Sequence, residues 1–84
     1  MGFPILYANK NQVYCIDKIK LLDDMTRHFA SLGFVNGEKV KIISNNGGDL
    51  IVEVKGARIA IDKKTANRIF VTEQENNLDK QKEQ

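Results

Sequence analysis

The sequence predicts a mainly β domain: a small, strongly bent barrel with one inserted α-helix and a short helical turn before the last strand. Three observations support this fold class. Short stretches rich in β-branched residues are separated by turns that contain glycine or asparagine. Only residues 23–32 place apolar side chains at helical spacing. The length of 84 residues, of which 42% are hydrophobic, suits one compact core.

The first 19 residues predict an edge segment, a turn and a strand. Pro4 lacks an N–H donor, which excludes residues 1–7 from a central strand. Residues 8–12 are polar and asparagine-rich, a composition typical of a turn with left-handed backbone angles. Val13–Ile19 is β-branched and aromatic, and we expect a strand there.

The inserted helix is predicted from its two ends. Asp23 or Asp24 is expected to cap its N-terminus, where the helix dipole also favours negative charge. Gly33 supplies a left-handed stop, and Phe34 is placed to fold back on the last turn. One apolar stripe runs along the helix: Met25, Phe29 and Leu32.

The second half of the chain predicts short strands joined by tight turns. Gly37 follows an asparagine, Gly56 precedes an alanine, and residues 45–49 are expected to form a hairpin loop. Asp62 is expected to cap a single helical turn. The predicted strands are residues 38–44, 50–55, 58–61 and 69–71. Their inward-facing positions are Val40, Ile42, Leu50, Val52, Val54, Ile59 and Ile61.

The charge distribution divides the chain into a domain and a tail. The formal net charge is +2, but residues 1–71 carry 11 Lys/Arg against 7 Asp/Glu and residues 72–84 carry 2 against 4. The tail has a single apolar residue, Leu78. Because such a segment buries too little surface to offset its ordering entropy, we expect residues 72–84 to be disordered.

The sequence contains few reactive side chains, and this shortage excludes several classes of function. One cysteine and one histidine provide neither a disulfide nor a structural zinc site. Cys15 is expected to pack in the core and His28 to lie at the surface or partly packed. The loop 45–49 lacks the GK[ST] ending of a phosphate loop and precedes a strand. With no nucleophile–base pair, we expect neither an enzyme nor a resident cofactor.

Membrane and nucleic-acid classes are also disfavoured by the sequence. Its apolar runs are too short to span a bilayer and no signal-type segment precedes them, so we expect a cytoplasmic protein. The lysines and arginines are expected to form a solvated outer face. Neither tyrosine lies in an RNA-binding pattern, so a nucleic-acid partner is not expected.

Four segments of the chain resemble the FeoA family. The first is the run Pro4-Ile5-Leu6-x-Ala8, which precedes a predicted strand. The run TRHFASLGFVNGEKV at residues 26–40 resembles the family's arginine-bearing helix, its LG[FM] ending, a two-residue spacer, glycine and a strand. Residues 50–61 (LIVEVKGARIAI) are similar to its second hairpin, and residues 66–71 to its closing strand. The resemblance covers residues 4–71 in order. Two departures are Asn11, where glycine is common, and the loop 45–49, which lacks the proline of many members.

The resemblance implies an SH3-like β-barrel that serves bacterial ferrous iron uptake in the cytoplasm. The implied partner is the FeoB transporter, a membrane protein with a cytosolic GTP-binding domain, which would hold the chain at the inner face of the membrane. We expect an aromatic or aliphatic anchor with a charged rim to make the contact. The candidate contact residues are Arg27, His28, Phe29, Leu32 and Phe34. A loosely held Fe(II) or other divalent ion would fit such a family, although the residues do not support it.

Other functions remain open at this stage. One is an SH3-like metal- or peptide-binding regulatory domain related to that of iron-dependent repressors. Another is a small nucleic-acid-binding barrel that uses the lysine face, which would bind less tightly as salt rises. Exposed sheet edges also permit copies of the chain to associate by strand addition.

Overall fold

A computed structural model of the chain describes residues 2–73 and shows the predicted mainly β fold. Two short elements come first, β1 (Phe3–Pro4) and a 3₁₀ turn (Ile5–Tyr7). The remaining elements, in chain order, are β2 (Val13–Ile19), α1 (Asp23–Ser31), β3 (Lys39–Asn46), β4 (Asp49–Val54), β5 (Ala57–Ile61), α2 (Lys63–Ala66) and β6 (Ile69–Glu73).

The six strands form one antiparallel sheet with the order β1-β6-β2-β3-β4-β5. Pro4 lies in β1 at one end of this sheet, as its missing N–H requires. The register shifts between Ile16 and Lys18 and again between Ile42 and Ser44. Such bulges bend a strand and increase its twist. The described strands include no pairing between β1 and β5, so the sheet curves without hydrogen-bonded closure.

The core is filled by the residues that alternate inward along the strands. All seven predicted inward positions on β3, β4 and β5 are buried. The core also takes in residues from the 3₁₀ turn, β2, both helices, β6 and the connections between them: Ile5, Ala8, Tyr14, Ile16, Phe29, Phe34, Ala66, Ile69 and Val71. The alternating pattern therefore predicted the buried face of the sheet correctly.

Cys15 and the N-terminus of α1 differ from expectation. Cys15 is half-buried and absent from the core, because alternation along β2 turns Tyr14 and Ile16 inward instead. Leu22, not an aspartate, occupies the N-cap position and makes no side-chain cap. Asp23 and Asp24 are the next two residues, in the first turn, where the dipole still favours them.

The C-terminus of α1 confirms its prediction. Gly33 has a φ of 96°, and its N–H donates to the carbonyl oxygen of Ala30 at 3.0 Å. The Phe34 N–H donates to the carbonyl oxygen of Phe29 at 2.9 Å. These two bonds make a Schellman motif, which turns the chain back so that Phe34 enters the core.

The hairpin loop predicted at residues 45–49 is tighter than expected. Strand β3 continues to Asn46 and β4 begins at Asp49, so only Gly47 and Gly48 form the loop. The next turn contains Lys55 and Gly56, with φ values of 51° and 81°. Positive φ at both central residues is typical of a type I′ hairpin, and it makes Lys55 a left-handed residue that the sequence did not indicate.

A single asparagine side chain connects the 3₁₀ turn to the β3–β4 hairpin. The Asn45 amide nitrogen donates to the carbonyl oxygens of Leu6 at 3.0 Å and Ala8 at 2.8 Å. Its amide oxygen accepts from the Gly48 N–H at 2.9 Å. Three hydrogen bonds from one residue therefore position two segments that lie far apart in sequence.

The end of the domain is marked by α2 and β6. Asp62 caps α2 as predicted, because its carboxylate accepts from the Thr65 N–H at 2.8 Å. Strand β6 then runs to Glu73, two residues past the predicted boundary at 71. The remainder of the predicted tail, residues 74–84, lies outside the described residues.

Candidate functional site

A cleft of about 820 Å³ separates α1 from the β3–β4–β5 part of the sheet. The helix contributes Met25, His28, Phe29 and Leu32 to its lining. The sheet contributes a row across three strands, since Ser44 pairs with Ile51 and Ile51 with Ala60. The walls are therefore largely apolar, which is the usual lining of a site that binds another molecule.

The apolar stripe of α1 is divided between the core and the cleft, and this division determines where the helix lies. Phe29 packs into the core, whereas Met25 remains 40% exposed one turn earlier and Leu32 is half-buried. The helix thus rests on the core through Phe29, with Leu32 packed against the core beside it, and leaves Met25 largely beside the cleft. The apolar stripe of the helix therefore contacts the core and also lines the cleft.

Within residues 2–73, strand β5 also contributes an unpaired backbone edge to the cleft. It is the last strand of the sheet and pairs only with β4 among the described strands. Ile59, Ala60 and Ile61, three of its five residues, line the cleft. The unpaired edge of such a strand offers N–H and C=O groups to an added extended segment.

Two carboxylates at the far end of the cleft are engaged within the fold. The Asp49 carboxylate accepts from the Lys63 N–H at 2.8 Å, and Asp62 accepts from Thr65. The hydrogen bond from the Thr65 backbone holds the pKa of the Asp62 carboxyl below its ordinary value. Both groups therefore fix the start of α2. Across residues 2–73 the structure shows no cluster of three or more His, Cys, Asp or Glu side chains that could hold a metal ion.

The predicted contact residues divide into exposed and buried groups. His28 is exposed and lines the cleft, with its ring 5.8 Å from that of Phe29. Arg27 is exposed and forms an ion pair with Asp24. Leu32 is half-buried in the cleft wall, so these three are available to a partner.

The two phenylalanines require a correction. Phe34 is 0% exposed and Phe29 only 5%, because the Schellman turn drives Phe34 inward against the helix. Phe34 supports the helix and offers no surface for contact. Sequence reasoning missed Met25 and Ile51 as cleft residues, although Ile51 stands at an outward position of an alternating strand and could have been recognised.

The three glycines predicted at structural turns all have positive φ angles. Gly33, Gly37 and Gly56 have φ values of 96°, 88° and 81°, all in the left-handed region. Asn11, which stands where glycine is common in the resembling family, likewise has a φ of 68°. Over residues 2–73, none of the helices has the length and apolar character needed to cross a bilayer.

Two comparisons of the sequence with known proteins point to the same family. The family model described as the FeoA domain matches residues 4–73. A curated protein of Methanocaldococcus jannaschii, named "Putative Fe(2+) transport protein A", is 30% identical over 73 residues, covering 87% of this chain and 89% of its own length.

Solved structures share the fold. The zinc-complexed FeoA of Stenotrophomonas maltophilia, described as a procaryotic SH3 domain protein, has a TM-score of 0.70 at 27% identity, covering 84% of this chain and 88% of that one. A manganese-dependent transcriptional repressor in complex with manganese has a TM-score of 0.77 at 19% identity, covering 87% of this chain and 37% of that one, a likeness of fold alone. The domain is SH3-like, and the chain belongs to the FeoA family, which is associated with ferrous iron transport.

Proposed function

We propose that this protein is an accessory subunit of ferrous iron uptake that docks on the cytosolic GTP-binding part of a FeoB-type transporter and modulates it. Membership of the FeoA family supports the transport role. The observation that carries the docking role is the apolar cleft between α1 and the sheet, beside the unpaired edge of β5. In this proposal the chain acts on the cytoplasmic side and reaches the membrane through its partner.

The cleft suits an extended segment of the transporter's cytosolic part. Apolar side chains of that segment would pack against Met25, Leu32 and Ile51, which line the cleft and retain exposed surface. Its backbone would pair with β5 in the manner of strand addition. Arg27 at the helix surface supplies a charged group near the rim. This arrangement, apolar anchors inside a charged rim, is common at interaction hot spots.

Modulation requires that docking distinguish two states of the transporter. A ligand shifts an equilibrium only by the difference between its affinities for the two states. The segment that enters the cleft would therefore have to be more accessible in one nucleotide state than in the other. That difference sets whether the protein stimulates or inhibits GTP hydrolysis.

The docking proposal is tested by a pair of matched substitutions. Ile51 and Val35 are both β-branched and both 41% exposed, but only Ile51 lines the cleft. We expect Ile51→Glu to weaken binding of the transporter's cytosolic part about 30-fold in a calorimetric titration, since an anchor contributes about 2 kcal/mol. Val35→Glu should bind as the unsubstituted protein does. Equal affinities for all three proteins would contradict the proposal.

The repressor-like alternative makes a different prediction. If the chain were a metal-dependent regulatory domain, Fe(II), Mn(II) or Zn(II) would raise its melting temperature, because a ligand that binds only the folded state stabilises it. The peptide-docking proposal expects an unchanged melt on adding each metal. A metal-dependent rise in melting temperature would favour the regulatory domain instead.

A further inference from the structure

Two strongly exposed apolar side chains lie on either side of the short helix α2. Among the described residues, Leu22 at 82% and Tyr7 at 67% are the most exposed large hydrophobic side chains. Leu22 lines one groove of about 430 Å³ and Tyr7 another of about 500 Å³. Lys64 of α2 lines both grooves, so the two apolar side chains border one continuous surface.

The same surface is basic. Lys20, Lys64 and Arg68 line the groove of Leu22, and Lys63 lines that of Tyr7 beside Lys64. Neither groove has a carboxylate in its lining as the structure describes it.

Five acidic residues lie at the margins of this surface. Asp17 shares a groove with Lys20, and Asp49 accepts from the Lys63 N–H. Asp62 precedes α2 and accepts from the Thr65 N–H, and Asp24 is paired with Arg27 on α1. Asp23 adjoins Leu22 in the sequence and is exposed. The four cations therefore line the two grooves without a carboxylate among the described lining residues, while the acidic groups lie at the margins of the surface.

The fold itself does not account for Leu22. It stands at the N-cap of α1, where Ser, Thr, Asp or Asn would satisfy a free N–H of the first turn, and it forms no such bond. With 82% of its surface exposed it also adds little to the core. An apolar side chain that neither caps nor packs is available to an external apolar phase.

We propose that this surface, made of Tyr7, Lys20, Leu22, Lys63, Lys64 and Arg68 and here named the α2 surface, binds anionic phospholipid membranes peripherally. Lysine and arginine attract anionic headgroups, while leucine enters the acyl boundary and tyrosine occupies the interface. A nucleic acid would also attract the cations and could stack on Tyr7, but Leu22, the most exposed apolar side chain of the surface, offers it no ring. The combination of charges with an exposed leucine therefore favours lipid.

The proposal is independent of docking in the cleft. A protein that fails to bind the transporter could still bind vesicles, and the reverse also holds, so the two tests fail separately. If both succeed, contact with the bilayer would restrict the orientation in which the cleft meets a membrane-bound partner. Two weak attachments then act together through a raised effective concentration.

The test measures co-sedimentation of the full chain with vesicles. Vesicles of phosphatidylcholine containing about a third phosphatidylglycerol are compared with vesicles of phosphatidylcholine alone, each at low and high salt. We expect binding to the anionic vesicles only, and its loss at high salt. The double variant Lys64→Glu/Arg68→Glu should lower the partition coefficient at least about 25-fold, since each basic residue contributes about fivefold.

Two further variants separate the surface from general charge and from unfolding. Lys39→Glu/Lys41→Glu makes the same charge change on exposed positions of β3 and should reduce binding far less. Leu22→Ser should lower binding about tenfold while the helix is preserved, because serine is a favourable N-cap. The proposal is overturned by absent binding to anionic vesicles at low salt, by equal binding to neutral vesicles, or by equal losses in the two charge-reversed variants.

Discussion

The rings of Phe29 and Phe34 meet edge to face, with their centroids 5.6 Å apart. Phe29 belongs to helix α1 and Phe34 follows the Schellman turn that ends it, so this contact attaches the C-terminal half of the helix to the core. Aromatic pairs in this geometry contribute about 1 kcal/mol beyond the area they bury. The contact also sets one wall of the cleft, since Phe29 is one of the residues that line it.

Phe34→Ala is expected to destabilise the whole domain. Phe34 is fully buried, and removing a buried ring costs about 3–5 kcal/mol through lost burial and the cavity left behind. That is a large share of the total stability of a small domain. The midpoint of urea unfolding should fall accordingly, whereas Val35→Ala at the exposed next position should change it little. A Phe34→Ala protein as stable as Val35→Ala would contradict this account.

Asn45→Ala should destabilise the protein by about 2 kcal/mol. The change removes both donors to the Leu6 and Ala8 carbonyl oxygens and leaves those acceptors partly buried without their partner. Asn46→Ala is the matched control, because Asn46 is exposed and neighbours it on the same strand. Urea unfolding of the two variants should separate clearly. Similar midpoints would show that the amide does not hold the 3₁₀ turn.

The Asp62 cap predicts a stability change in acid. The pKa of its carboxyl is lower in the folded protein than the ordinary value of 3.8, so its contribution is complete above that value and is lost as the pH falls through the folded pKa. Asp62→Asn keeps a capping oxygen without the titrating charge. We expect the difference in urea midpoint between the unsubstituted protein and Asp62→Asn to shrink as the pH is lowered. A difference that does not change with pH would contradict the prediction.

Leu22→Ser should stabilise the protein, even though it removes an apolar side chain. Serine at the N-cap can accept a hydrogen bond from the first turn of α1, which contributes about 0.5–1 kcal/mol, and the exposed leucine has little burial to lose. Leu22→Ala, which cannot cap, is the control. Thermal or urea unfolding should place Leu22→Ser above both other proteins. Equal stability of the serine and alanine variants would exclude the capping explanation.

Much of the fold could be predicted because its signals are local. Alternating residues in β3, β4 and β5 predicted which side chains are buried, and Gly33 and Asp62 predicted a helix end and a helix start. These signals succeed because backbone geometry imposes a period of two on strands and requires particular residues at helix ends. The N-cap at Leu22 is the exception, since either neighbouring aspartate would have been the better cap.

The candidate site could be predicted less completely from the sequence than the fold. His28 and Leu32 were expected at a contact surface and do line the cleft, whereas Phe34 was expected there and is buried. Ile51 was missed, although alternation along β4 indicates its outward position; that it lines a cleft depends on where the sheet and α1 leave space. Hydrophobic periodicity identifies an apolar face but does not state what covers it.

The sequence by itself determined the strands, the C-terminus of α1, the start of α2 and the shortage of catalytic and metal-binding groups, since each depends on residues close together in the chain or on composition alone. Only the tertiary structure decided that Phe29 and Phe34 are both buried, that Met25 and Ile51 face a cleft, and that Tyr7 and Leu22 flank a basic helix. The physical reason is that the exposure of a side chain depends on how two elements of secondary structure pack against each other. Segments separated by 20 or more residues must pack before an apolar side chain becomes either core or surface.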